Sequence, residues 1–174
     1  MERALGYRRV VKRLWAPWRM AYVSDTPSGT GDGCFLCAAA RGDGDQSLVV
    51  GRGKLAFILM NRYPYTSGHL MAVPVRHTPG MLALTPDEGA AIFAATQRAI
   101  RVLTDAMHPD GFNIGINQGS AAGASTEHVH VHVVPRWAGD TNFMPVLGDV
   151  KVLPQDLETT AANLREAFIR LGPL

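Results

Sequence analysis

The chain has 174 residues, of which 47% are hydrophobic and 18% charged, and a formal net charge of +2 at pH 7. That length suits one well-packed domain with appendages, and the composition excludes a disordered, collagenous or coiled-coil chain. So mild a positive charge argues against a protein that wraps a nucleic-acid polymer and suits a small anionic ligand instead.

The start, MERALGYRRVVKRLW, has no apolar stretch followed by a small-residue cleavage site, and no run in the chain approaches a membrane span. No membrane partner and a cytoplasmic location are therefore expected. Residues 1–33 comprise a basic, aromatic arm, RRVVKRLWAPWRMAYV, expected to pack on the domain or a partner, and a turn-rich flexible loop, SDTPSGTGDG. Cys34 and Cys37 are too few and too close to be the framework of a secreted domain, which leaves a metal or redox role to weigh. From Leu48 onward SLVVGR, KLAFILM and HLMAVPV are short, apolar and bounded by Gly, Pro or Asn, the pattern of three strands. Thr85, Pro86 and Glu88 then supply an N-cap, a proline at the first helical position and a capping-box acid. Ile92, Ala95, Ala99 and Leu103 follow at helical spacing, which predicts a helix from about Pro86 to about Met107, ended by Pro109 and Gly111. FNIGIN and EHVHVHVV predict two more strands, joined by the loop QGSAAGAST. A last amphipathic helix is expected from about Gln155 to Leu171, with Leu157, Ala161, Leu164 and Phe168 on one side. Five strands with a long helix before the fourth predict an α+β fold, an antiparallel sheet covered by helices.

In residues 127–134, Glu-His-Val-His-Val-His-Val-Val, every second position is histidine. A continuous strand would line up His128, His130 and His132 on one face, roughly 6.5 to 7 Å apart, around one phosphate group, with the valines buried opposite. A neutral imidazole can act as a nucleophile when its other nitrogen is held by a hydrogen bond that sets the tautomer, and phosphorus is a natural target. Just upstream, the backbone of Gly119–Ser125 can approach phosphate oxygens without side-chain obstruction. With Arg136 it would form a small anion site beside His130. The same histidines could instead ligate a catalytic metal, since His-x-His pairs on strands bind zinc or iron.

The segment from His128 to Val134 resembles the His-φ-His-φ-His-φ-φ signature of the histidine triad (HIT) superfamily. AFILMNRYPYTSGHLMAVPVRH is similar to that family's segment with a nucleoside-contacting Asn or Asp and a Gly-His turn. GFNIGINQGSAAGAS is similar to its strand and phosphate loop, so the resemblance spans about residues 34–137. It implies a five-stranded HIT-like sheet with one long helix and a C-terminal helix, in a homodimer whose two sheets join. The arm (1–33) and a C-terminal extension (138–174) would flank the HIT domain (34–137). It further implies His130 as the nucleophile that forms a nucleotidyl-histidine. His132 would hydrogen-bond the α-phosphate or bridging oxygen, Asn117, Gly123 and Ser125 would contact phosphate, and Asn61 would hold the ribose hydroxyls. For the asparagines and Ser125, turn and loop capping are the structural alternatives. His69 reads as structural at the Gly-His turn and His108 as exposed.

Two thiolates from Cys34-x-x-Cys37 with the imidazoles of His77 and His128 would make a closed tetrahedral zinc site, structural rather than catalytic. By themselves Cys34 and Cys37 could equally be a redox pair or ordinary buried cysteines. The resemblance favours zinc, because several members of the superfamily have a Cys/Cys/His/His site. Mg2+ or Mn2+ would enter with the substrate phosphates. The flanks LWAPWRMAYV and VVPRWAGDTNFM resemble members that cleave diadenosine polyphosphates. The expected activity is dinucleoside polyphosphate cleavage with phosphate or water as acceptor. A nucleoside phosphoramidase, a three-histidine metal enzyme and a regulatory nucleotide-binding protein are the rival readings. Trp15, Trp18 and Trp137 are expected in packing rather than on a base.

Overall fold

The structure, a computed structural model, describes residues 33–43, 46–140 and 155–174. The expected arm with Trp15 and Trp18, and nearly all of the turn-rich loop after it, lie outside the described residues. The strands are β1 (Val49–Arg52), β2 (Ala56–Met60), β3 (Leu70–Pro74), β4 (Gly111–Gly115) and β5 (Val131–Arg136). They form one antiparallel sheet in the order β1-β2-β3-β5-β4. The helices are α1 (Phe35–Arg41), α2 (Pro86–Met107) and α3 (Leu157–Arg170). No described helix is long and apolar enough to cross a membrane.

Both α2 and α3 begin where local chemistry dictates. Thr85 accepts from the Glu88 N–H while the Glu88 carboxylate accepts from the Thr85 N–H, a complete capping box with proline in the first turn. Asp156 caps α3 by accepting from the Thr159 N–H at 2.8 Å. The apolar stripes of both helices, Ile92, Ala95, Ala99, Val102 and Leu103 on α2 with Ala161, Leu164, Ala167 and Phe168 on α3, bury against one sheet face. Ile58, Met60, Leu70, Val131 and Val133 face them. Burying each of the larger of these side chains, Val, Leu, Ile, Met or Phe, contributes about 1.5–3 kcal/mol, and this is the main core. The terminal helix thus shares one core with residues 48–136.

The other sheet face carries Val49, Phe57, Leu59, Met71 and Val73, packed against Cys34, Leu36, Cys37 and Ala39 of the α1 segment. A strand so apolar on both sides as β2, all five of whose residues are buried, is what a central strand between two layers requires. The α1 helix was not expected from the sequence; its seven residues give barely two turns of pattern.

Candidate active site

The ladder of β5 starts at Val131, so His128, Val129 and His130 precede it. This corrects the expectation of three imidazoles in one even row around a phosphate. Val129, Val131 and Val133 are buried as expected. Before the ladder begins, however, the chain is free to send neighbouring rings to different partners. The Val129 N–H donates to the Thr78 carbonyl at 2.7 Å, which holds this stretch beside the segment following β3.

The His128 ring joins the cysteines. Its Nδ1 lies 3.5 Å from both the Cys34 and the Cys37 Sγ, and the His77 Nδ1 lies 3.2 Å from the Cys37 Sγ. The four ligand atoms all fall within 4.8 Å of one another. Tetrahedral zinc with ordinary Zn–S and Zn–N bonds separates S from N by about 3.5 Å, so the donor set fits. The His128 Nε2–H donates to the Pro74 carbonyl at 3.0 Å, leaving Nδ1 bare and aimed at the cluster, as a ligating imidazole needs. Burial opposes ionisation of the Cys34 thiol. Hydrogen bonds from the Cys37 and Leu36 N–H groups and contacts with Thr126 and Cys37 nonetheless bring its pKa below the ordinary thiol value. With its ring so placed, His128 cannot join His130 and His132 in a three-histidine catalytic metal site. Among the described residues this is the single cluster of three or more His, Cys, Asp or Glu side chains able to hold a metal.

The same residue serves His130 through its backbone. The His130 Nδ1 sits 2.8 Å from the His128 carbonyl, which can only accept, so Nδ1 carries the hydrogen and Nε2 keeps its lone pair. Burial lowers the His130 pKa and keeps the ring neutral at neutral pH. His132 follows on the α1 face of the sheet, opposite Met71. The His130 and His132 rings stand edge to face with centroids 4.7 Å apart, closer than an ideal strand would hold them.

His69 supplies what the sequence reading assigned only to structure. The Tyr65 N–H donates to the His69 Nδ1 at 3.1 Å, so the hydrogen of His69 is on Nε2, which lies 3.0 Å from the His132 Nδ1. His132 therefore accepts at Nδ1 and presents an Nε2–H. Tyr65 stacks on the His69 ring at 4.8 Å. The pair of rings leaves one bare Nε2 on His130 and one hydrogen-bearing Nε2 on His132. The available sequence signal was parity, since His69 shares a strand face with Met71 and hence with His132.

Of the remaining expected contacts, the Asn61 Oδ1 accepts from the Tyr63 N–H at 2.9 Å, closing the turn after β2, and its N–H donates to the His69 carbonyl. Asn117 and Ser125 are partly buried at the two ends of the loop between β4 and β5. Gly119 and Gly123 take positive φ values of 81° and 84°, which a side chain would strain, and fold the loop around a 3-10 turn at Ser120–Ala122. Arg136 does not border His130. Its guanidinium is paired with Asp140 at 2.6 Å and with the Asn113 Oδ1 at 2.7 Å, and four residues of strand, about 13 Å, separate it from His132. Trp137 packs at the end of α2, its Nε1–H toward the Met107 carbonyl at 3.4 Å. His108 is exposed in the left-handed position that ends α2.

The HIT domain family matches residues 44–139. Over 97% of its length the chain is 42% identical to the AP-4-A phosphorylase of Mycobacterium tuberculosis (strain ATCC 25618 / H37Rv), 90% of which is covered. It is 30% identical, over 71% of its length, to the asymmetrical bis(5'-nucleosyl)-tetraphosphatase of Schizosaccharomyces pombe, covering 64% of that protein. A crystal structure of a zinc-bound histidine triad family protein from Mycobacterium smegmatis superposes with a TM-score of 0.67 at 31% identity, covering 79% of this chain and 94% of that one.

Proposed function

The chain belongs to the HIT domain family, and we propose that it cleaves dinucleoside polyphosphates of the diadenosine tetraphosphate kind through a nucleotidyl-His130 intermediate. The observation that carries this reading is the opposite placement of hydrogen on two adjacent rings, bare Nε2 on His130 and Nε2–H on His132. The His130 lone pair attacks the α-phosphorus, and the bond from that phosphorus to the bridging oxygen breaks. ATP departs, with the His132 Nε2–H hydrogen-bonded to its oxygen. An oxygen of inorganic phosphate then attacks the adenylyl phosphorus, and the N–P bond breaks to return His130 and release ADP. With water as acceptor the second product is AMP.

Phosphate is the favoured acceptor, because the likeness to a protein named as a phosphorylase runs over nearly the whole chain while that to a named tetraphosphatase covers less. Asn117, Gly123 and Ser125 are assigned to phosphate contact and Asn61 to the ribose hydroxyls, in keeping with their place on the loop before β5 and the turn after β2. Zinc held by Cys34, Cys37, His77 and His128 would have no open coordination position and would serve as a cross-link. Mg2+ or Mn2+ would arrive on the substrate phosphates. The reading includes a homodimer joined sheet to sheet. It is supported by β4, one of the two edge strands, whose Asn113, Ile114 and Gly115 are exposed. It also keeps 34–137 as the catalytic unit, flanked by the arm and the C-terminal extension.

The test is to cleave diadenosine tetraphosphate in labelled inorganic phosphate. Label in ADP, with ATP as the other product, is the expected result. Unlabelled AMP and ATP at every phosphate concentration would make water the acceptor. Absence of cleavage, or of a phosphorus-nitrogen bonded enzyme intermediate, would overturn the reading.

A further inference from the structure

Residues 76–84, which lead from the end of β3 into α2, form a braced length of chain. Arg76 grips Glu88 in a two-pronged ion pair at 2.7 and 2.6 Å and donates to the Ala83 carbonyl at 2.8 Å, tying both ends together. His77, one of the four clustered ligands, comes next. Thr78 is fully buried, donates to the Arg76 carbonyl at 3.1 Å and accepts the Val129 N–H. At the far end, the Met81 N–H donates to the side-chain Oε1 of Gln118 at 2.8 Å.

Gln118 precedes Gly119, where the loop to β5 begins. The Gly119 carbonyl accepts from the Ala122 and Ala124 N–H groups, so the loop is folded on itself, while Gly119–Gly123 are exposed. A loop with so little buried contact takes its position from what holds its ends. Gly80 is shaped for that hold. Its φ of −170° is ordinary extended backbone, so conformation does not demand glycine there. A Cβ would stand 2.9 Å from the Gln118 Oε1 and 3.0 Å from its Cδ, so the amide lies against Gly80 where a side chain would be.

We infer that Gln118 is a positioning residue for the phosphate loop. Through Gly80 and the Met81 N–H, it sets where Gly119–Ser125 stand relative to His130. It also links that loop to the segment 76–84, which includes His77 of the four-residue cluster. The inference rests on the reading of Gly119–Ser125 as the phosphate-holding loop. The role is in binding the polyphosphate rather than in the bond-breaking step.

The experiment compares Gln118→Ala, Gly80→Ala and the double variant. KM for diadenosine tetraphosphate and the calorimetric Kd for AMP should each rise about tenfold in both single variants, the loss that one hydrogen-bonded contact represents, with kcat within about threefold. The double variant should match Gln118→Ala alone, because the alanine removes the three atoms nearest the new Cβ, all of them in the Gln118 amide. Should Gly80→Ala fail to fold, recovery of folding in the double variant reports the same contact. Unchanged KM and Kd in Gln118→Ala, or effects that multiply in the double variant, would overturn the inference. Wild-type protein that binds AMP but does not cleave the dinucleotide would count against the proposed activity instead, and the Kd comparison would still decide the role of Gln118.

Discussion

The Nε2 of His69 and the Nδ1 of His132 are 3.0 Å apart, so a residue at the entry to β3 decides which nitrogen of the β5 histidine bears hydrogen. His69→Ala should lower kcat by about 10- to 100-fold with KM within about threefold, because His132 loses the partner that fixes its donor nitrogen. His69→Gln, which keeps an N–H to offer, should recover part of the rate. Steady-state kinetics on diadenosine tetraphosphate give the answer. An unchanged kcat in the alanine variant would mean that the His132 tautomer is set elsewhere.

His130→Ala should remove the covalent intermediate and lower kcat by at least about 10³-fold while AMP still binds, since Val131 and Val133 stay in the core. Burial lowers the His130 pKa, so the neutral nucleophile persists as pH falls through the ordinary imidazole value of 6.5. In wild-type protein kcat/KM should stay level from pH 8 to about 6.5 and decline only below that range. A decline centred above pH 7 would contradict a buried neutral ring.

Protein purified without chelators should carry one zinc per chain, measured by elemental analysis. Cys37→Ser should lose it and unfold at a temperature roughly 5 to 10 °C lower, the shift that about 2–3 kcal/mol produces in a chain of this size. Metal-free wild-type protein with unaltered thermal stability would leave the cluster without a structural role.

The Glu88 carboxyl has its pKa lowered from 4.5 to about 2, chiefly by the Arg76 guanidinium and then by the Thr85 backbone N–H. The folded state therefore favours the ionised form. That contribution is complete above about pH 4.5 and is lost as pH falls toward 2. Urea midpoints for wild type and Glu88→Gln should be widest apart at pH 7 and converge between pH 4.5 and 2. A gap that stays constant across that range would remove Glu88 as the source.

Where a signal was local, the sequence reading came close to the observed ends. The capping box at Thr85 and Glu88 and the stop before Pro109 bound α2 at Pro86 and Met107, since both ends are set by neighbours within four positions. The residues alone left Cys34 and Cys37 open to other roles and the family resemblance favoured their grouping with His77 and His128, because only the sheet brings β3 beside the segment entering β5. What could not be read was the division of labour among the histidines. The alternation of valine and histidine continues through His128, yet pairing with β3 stops at Ala72 and Val131. Arg136 looked available for an anion because its partners Asp140 and Asn113 are polar residues whose direction depends on the turn after β5 and on the β4 register. His69 was undervalued because its partner is 63 positions away.

His128 gives its ring to the thiolates and its carbonyl to His130, and this sharing constrains how the chain can vary in length. A residue added within Gly119–Gly123, which are exposed, would leave the sheet and the Cys34, Cys37, His77 and His128 cluster in place and disturb the phosphate contacts instead. A single residue added between His128 and His132 has nowhere to go. It would either drag the imidazole off the cysteines or turn a valine outward and a histidine into the helix-covered core. A change of length before Thr126 should therefore cost substrate binding, whereas one between His128 and His132 should cost the fold as well.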